Sequence, residues 1–375
     1  MIIKSIELSD FRNFETLKAE FSNGVNIFSG QNANGKTNIL ESIYLGSTTK
    51  SQKGSRDKDI IRFGRDEAHI RLYAEKADIV HKIDMHLRSG KAKQLYVDGM
   101  QIRKSTDYLG MIHVVSFSPE DLLMVKEGPA LRRRFLDLEL CQLDAIYMHN
   151  YASYNKVLEQ RNNLLKELKA SFGYQNPRTK DTLFVWDEQL VMYGGPIIEA
   201  RRSFIDEICS YAKEIHSKIS NGLEELKIEY APDVTEENFI NVLKENSDKD
   251  IVLKSTSSGP HRDDFIFLIN GNDARKYASQ GQQRSCVLSL KLAEIKYVTE
   301  KTGELPILLL DDVLSELDRS RQTNLLDSIS DMQTFITCTG LEEFVSGRLN
   351  TDNVFRVENN TCHKDNRTGG SDAIL

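Results

Sequence analysis

The residues most able to do chemistry are Gly30-Gln31-Asn32-Ala33-Asn34-Gly35-Lys36-Thr37, which have the G-x-x-x-x-G-K-T spacing of a phosphate-binding loop. Glycine reaches backbone angles closed to other residues, so consecutive N–H groups can converge on phosphates at a helix N-terminus. Lys36 is expected to reach the β- and γ-phosphates and the Thr37 hydroxyl to ligate Mg²⁺. A second cluster, Asp311-Asp312, ends the aliphatic run Ile307-Leu308-Leu309-Leu310. Asp311 is suited to bind Mg²⁺ and Asp312 to orient or polarise an attacking water. A third, Ser279-Gln280-Gly281-Gln282-Gln283, opens an amphipathic helix and is a ready anion site. In Ser258-Gly259-Pro260-His261-Arg262-Asp263-Asp264, His261 and Asp263 lack a nucleophile motif, so a structural loop or phosphate sensor is expected rather than acid–base catalysis.

These residues need a parallel sheet to hold them. Val25–Ser29 reads as a short buried strand feeding the first loop, with a helix leaving it over Asn38–Leu45. The run ending at Asp311 is apolar on both faces, as in the core of a parallel sheet. Ile2–Leu8 and Leu17–Phe21 read as antiparallel lead-in strands closed by an Asn23-Gly24 turn. From Glu67 to Ile102 the period is two, with hairpin breaks at Ser89-Gly90 and Asp98-Gly99. Val114–Phe117 and Thr334–Cys338 are further strands, Pro119 with Glu120 and Asp121 suits a helix start, and the tail after Asn359 reads as frayed.

Between Leu143 and Ser220 the spacing is helical, with a break at Gly173–Pro177 and a stripe containing Tyr147, Tyr151, Tyr154 and Leu158 that Arg161 interrupts. Two antiparallel helices of roughly 30 to 40 residues would form an arm about 45 to 55 Å long. The aromatic stripe is expected to be core packing. Leu226–Tyr230 restarts strand character and suggests a return to the first domain. The expected division is a first lobe over 1–127, a helical arm over 128–225 and the rest of the head over 226–375.

The 375-residue chain is 39% hydrophobic and 28% charged, with no stretch of membrane-spanning length and an N-terminus that meets charge too early for a signal peptide. A cytoplasmic location is expected. Its five cysteines are scattered without C-x-x-C, which indicates neither a disulfide framework nor a zinc site. The net charge of −7 gives no global attraction to nucleic acid, so DNA binding would rest on local basic surfaces. Arg56, within Thr49–Lys58, and Arg132-Arg133-Arg134 are candidates for phosphate contacts or for solvated, salt-bridged faces.

Together these motifs resemble the ABC-type ATPase heads of the SMC group. In that comparison Ser279–Gln283 is the signature loop and Ser315-Glu316-Leu317-Asp318 the D-loop. The resemblance is closer to the RecF family, through Leu8–Phe14, Gly30–Asn38, Phe117–Asp121, Arg132–Asp137, Ser258–Asp264 and Ser279–Arg284. It implies an α/β fold, an ABC-type P-loop ATPase head with an antiparallel β subdomain and an inserted helical arm. It also implies that ATP and Mg²⁺ bind at Gly30 to Thr37 with Arg12 and Asp311, and that Lys36 and Asp312 are catalytic. ATP would bring two copies together, with Ser279, Gly281 and Gln282 of one closing on the γ-phosphate held by the other. The implied function is a recombination mediator on duplex and gapped DNA, acting with RecR and RecO and indirectly with RecA. Asp312 stands where most ABC ATPases have glutamate, which suggests slow hydrolysis. No histidine lies near Thr339, where a switch histidine is expected after the strand, and Ser118–Asp121 lacks the glutamine of a Q-loop. An ABC subunit of a transporter or defence system is the alternative, though such a subunit would not need the long helical insertion.

Overall fold

The computed structural model describes residues 1–365 apart from 53, 105–106, 172–176, 330 and 340–352. The chain forms two compact units, Met1–Asp121 with Glu294–Leu375, and Leu122–Ala293.

The first unit begins with β1 (Ile2–Phe11), β2 (Phe14–Glu20), β3 (Val25–Ser29), α1 (Lys36–Thr48), α2 (Asp57–Ile60), β4 (Glu67–Lys76), β5 (Ile79–Arg88), β6 (Gln94–Val97), β7 (Met100–Ile102) and β8 (Val114–Phe117). An antiparallel sheet of order β2-β1-β4-β5-β6-β7 follows from the period-two pattern: on β4, Ala68, Ile70, Leu72 and Ala74 are buried and their neighbours are not. The β6–β7 turn sits at Asp98-Gly99, both at positive φ as a tight hairpin requires. The helix expected at Pro119 is only a 3₁₀ turn, Asp121–Met124. Ser118 N–H and its hydroxyl both donate to the Asp121 carboxylate, which closes the local turn.

The second unit opens with α3 (Pro129–Leu143), started by proline at its first position, then α4 (Ala145–Ser171) and α5 (Pro177–Ile219). Arg161 meets Asp187 and Tyr147 meets Arg201, so the two long helices run antiparallel. Tyr147 and Tyr154 are buried with Leu190, Ile197 and Phe204, so the aromatic stripe is core. At about 1.5 Å per residue α4 is about 40 Å long and α5 about 65 Å, so the helices are less equal than the sequence suggests. Gly194 and Pro196 do not end α5, and at Gly194 the helix packs so closely that a Cβ there would lie 2.7 Å from the Phe239 ring. The break expected at Gly173–Pro177 lies almost wholly outside the described residues.

The unit continues through β9 (Leu226–Ala231), α6 (Phe239–Glu245), α7 (Ser247–Leu253), β10 (Asp264–Ile269), β11 (Asn272–Asp273) and α8 (Ala274–Tyr277) into α9 (Gln280–Thr302). β9 pairs with β10 in a small sheet of order β11-β10-β9 and packs on α5. The inserted unit therefore extends beyond an arm over 128–225: β9 does not return the chain to the first domain, because its pairing partner lies after residue 263.

The chain re-enters the first unit within α9, at Glu294, and continues with β12 (Ile307–Asp311), α10 (Arg319–Ser328), β13 (Thr334–Cys338), β14 (Val354–Glu358) and β15 (Thr361–Lys364). These complete a sheet of order β15-β14-β3-β13-β12-β8, parallel except for the β14–β15 hairpin. Thr361–Lys364, expected to fray, is ordered because Asn359 and Asn360 take the positive φ that a tight turn needs. Phe21, Phe28, Phe335 and Phe355 interlock against this sheet. The Gln333 amide joins β13 to β1 by accepting from Ile3 N–H and donating to Ile3 C=O. Among the described residues no helix is long and apolar enough to cross a membrane.

Candidate nucleotide site

The loop Gly30–Gly35 connects the carboxyl end of β3 to α1 and is laced to its surroundings on two sides. Asn13, in the β1–β2 turn, donates to Asn34 C=O and accepts from Asn38, while Asn34 donates to Val357 C=O on β14. Gly30 lies so close to β14 that a Cβ there would sit 2.2 Å from Val357 O. Gly35 has φ +98° with Asn13 against it, so neither glycine admits a side chain without moving backbone or loop. The Lys36 ammonium, almost buried, is held by Gly30 C=O at 2.8 Å and Gln31 C=O at 3.2 Å. A nearly buried cation held by loop carbonyls, beside a helix N-terminus, suits polyphosphate.

Strand order brings the acidic pair to this loop. β13 lies between β3 and β12, with Thr337 level with both Phe28 and Asp311. Asp311 Oδ1 accepts from the Thr37 hydroxyl at 2.8 Å and from the Thr337 hydroxyl at 2.8 Å. The Thr337 oxygen also accepts from Asp312 N–H at 2.9 Å. Thr337, which sequence reasoning passed over, thus fixes both aspartates; its place on a strand was legible, but its neighbours across the sheet were not. Asp312 has φ +52°, which turns the chain sharply after β12. Burial pushes its carboxyl above the usual aspartate range, Lys36 works against this, and Asp311 adds to it. The Ser315 hydroxyl donates to Asp312 C=O, and the Asp318 carboxylate caps α10. This donor set fits Mg²⁺ with a nucleotide: Thr37 and the Asp311 carboxylate share one point beside the Lys36 loop.

Arg12 is also beside this site, but its guanidinium is committed. It donates to both carboxylate oxygens of the buried Glu41 at 2.8 Å, to Ser55 Oγ at 2.7 Å and to Asp59 C=O at 2.6 Å. Four of its five N–H groups are therefore used in tying α1 to α2 and the segment before it. Glu41, which holds it, carried no sequence signal beyond its place on α1.

In the other unit the Ser279–Gln283 loop forms a capping box at the start of α9. Gln282 N–H donates to Ser279 Oγ at 3.3 Å, and Ser279 N–H donates to Gln282 Oε1 at 2.8 Å. Ser279 and Gln280 are exposed, whereas Gln283 is buried with its amide on Ala274 C=O.

The triple arginine divides. Arg132 is 3% exposed and forms a bidentate pair with Asp264 while also donating to Glu127 C=O, so it is a packing residue and not a DNA contact. Arg133 donates to Asp263 C=O, and burial lowers its pKa. Arg134 is half-buried and engaged, while Arg56 stands exposed. The 258–264 segment is structural: Arg201 donates to Pro260 C=O, Asp263 and Asp137. Tyr154 and His261 Nδ1 are 2.7 Å apart, and His261 Nε2 meets Thr256 C=O at 3.1 Å. Nε2 therefore carries the proton and Nδ1 accepts from Tyr154; burial takes the imidazole pKa down to about 4.

A parallel sheet carrying a phosphate loop after β3 and an acidic pair after β12, flanked by an antiparallel sheet and interrupted by an insertion, defines an ABC-type ATPase head. The sequence matches the RecF/RecN/SMC N terminal domain over residues 2–363. The chain belongs to the RecF family. It is 54% identical to the DNA replication and repair protein RecF of Lachnoclostridium phytofermentans, over 97% of this chain and 100% of that one. It is 43% identical to RecF of Clostridium perfringens, over 96% and 99% respectively. The fold matches a structure of the recombination mediator protein RecF with ATP in the RecFOR pathway, with TM-score 0.88, 35% identity and 97% of each chain covered. The Smc head domain of Pyrococcus furiosus, 14% identical with TM-score 0.55, shares the fold.

Proposed function

We propose that this chain is an ATP-dependent DNA-binding recombination mediator in which ATP joins two heads and hydrolysis releases them. The observation that carries this reading is the Thr37–Asp311–Thr337–Asp312 cluster beside Lys36, an intact and interlocked site for nucleotide and metal. Bound Mg²⁺ would supply charge neutralisation between the terminal phosphates, held by Thr37 and Asp311. Gly30 to Thr37 would bind the phosphates through backbone N–H groups, with Lys36 drawn from its loop carbonyls. Asp312, with its raised pKa, would hold the proton of the attacking water, and its short reach favours a slow, timer-like ATPase. The exposed Ser279 and the N-terminus of α9 suit a γ-phosphate presented by a second copy. One N–H of Arg12 remains for the nucleotide, a supporting rather than central contact.

The names of the relatives support a role in DNA repair and replication. Within that role we infer that the chain acts on duplex and gapped DNA, with RecR and RecO and indirectly with RecA, in the cytoplasm. Sedimentation velocity of wild type and Lys36→Arg with ATP, with and without gapped duplex, tests the reading. Wild type should shift from monomer to dimer in ATP and the variant should not. A chain that stays monomeric with both ATP and DNA present overturns it.

A further inference from the structure

We propose that Glu224 is a positioning residue for the Ser279–Gln283 loop and ties that loop to the last turn of α5. The inference rests on the reading of this loop as the element that closes on a second copy's nucleotide.

The Gln282 side-chain amide is held at both ends. Its oxygen accepts from Ser279 N–H at 2.8 Å, and its nitrogen donates to Glu224 Oε1 at 3.0 Å. The other carboxylate oxygen of Glu224 lies 3.0 Å from His216 Nε2. His216, fully buried in the final turn of α5, has its Nδ1 3.0 Å from Ser289 Oγ, one helical turn beyond Ser285 on α9. A carboxylate only accepts, so Nε2 donates to Glu224, and Glu224 in turn fixes which end of the Gln282 amide faces Ser279. With the amide oxygen committed to Ser279 N–H, the capping box is complete and the Ser279 backbone is held at the start of α9. A signature loop gains from such pre-organisation, because its donors must be aimed before the partner's phosphate arrives. The same four residues join the 43-residue helix α5 to the loop, so a change at the end of that helix reaches the site that meets the second copy.

Glu224→Ala should leave ATP affinity of the separate chain within about twofold and lower ATP-driven dimerisation and hydrolysis about tenfold, as for a lost hydrogen bond to a charged acceptor. Glu224→Gln keeps an acceptor for Gln282 and turns its NH2 toward His216, which can accept through Nε2 by carrying its proton on Nδ1 toward Ser289 Oγ, and should retain about half the activity. A mixing experiment separates positioning from folding. Glu224→Ala chains mixed with Lys36→Ala chains should recover hydrolysis, since one composite site then has an intact phosphate loop and an intact facing loop. The double variant mixed with wild type should add nothing to the hydrolysis of the wild-type chains. Hydrolysis by Glu224→Ala within twofold of wild type overturns the inference, as does an equal loss in Glu224→Gln. Recovery with Ser279→Arg but not with Glu224→Ala also overturns it and leaves the two-headed site standing. Failure of Ser279→Arg itself to complement Lys36→Ala overturns the two-headed site and this inference with it.

Discussion

Thr337→Val is the sharpest test of the site's construction. Valine has nearly the same shape, so no cavity opens, but the hydroxyl that links the two aspartates is removed. The native hydroxyl donates to Asp311 Oδ1 at 2.8 Å and accepts from Asp312 N–H at 2.9 Å, and the residue is 1% exposed, so water does not replace it. A hydrogen bond to a charged group contributes about 1.5–3 kcal/mol and a neutral one about 0.5–1.5 kcal/mol, or about 2–4.5 kcal/mol together. If half of this falls on the hydrolytic step, the rate drops by about five- to forty-fivefold. Nucleotide affinity should change little, because Lys36 and the loop amides are untouched. Single-turnover hydrolysis with a fluorescent phosphate sensor, alongside equilibrium nucleotide titration, separates the two. Thr337→Ser keeps the hydroxyl and should stay within about threefold of wild type. A Thr337→Val rate within twofold of Thr337→Ser would refute the claim that this hydroxyl sets the aspartate geometry.

Three further outcomes follow from particular contacts. Arg12→Gln leaves the buried Glu41 carboxylate without its cation and should cost about 3–5 kcal/mol in urea unfolding; a loss under about 1 kcal/mol would show that the pair is not structural. His261 has a folded pKa of about 4 against an unfolded value near 6.5, so the unfolded state binds the extra proton between these limits and stability falls as pH drops through that window. Its contribution, up to about 3 kcal/mol and complete above about pH 6.5, should appear as a steeper pH 7 to 5 loss in wild type than in His261→Asn; parallel curves would contradict the buried neutral imidazole. Arg132→Gln should lower the unfolding midpoint while leaving the salt slope of DNA binding unchanged in the folded fraction, whereas Arg56→Gln should reduce that slope by about one without loss of stability. The reverse pattern would exchange their roles.

Local sequence determined the parts of this protein that depend on near neighbours. The phosphate loop, the acidic strand end and the Ser-x-x-Gln opening of α9 are each complete within a few residues, because turn chemistry, capping and strand burial are short-range. The period-two strands and the antiparallel helices were legible for the same reason. Long-range pairing decided the rest. Thr337 matters because β13 lies between β3 and β12, an order that β13's own residues do not encode. Arg132 looked like a phosphate contact because a run of arginines usually faces water; only the fold brings Asp264 across 132 positions to occupy it. The insertion ends later than its helices because β9 finds β10, more than thirty residues on, and Gln282 meets Glu224 from a distant turn. Side-chain types and local spacing state which groups can do chemistry, whereas the pairing of strands and packing of helices decide which of those groups are free to do it.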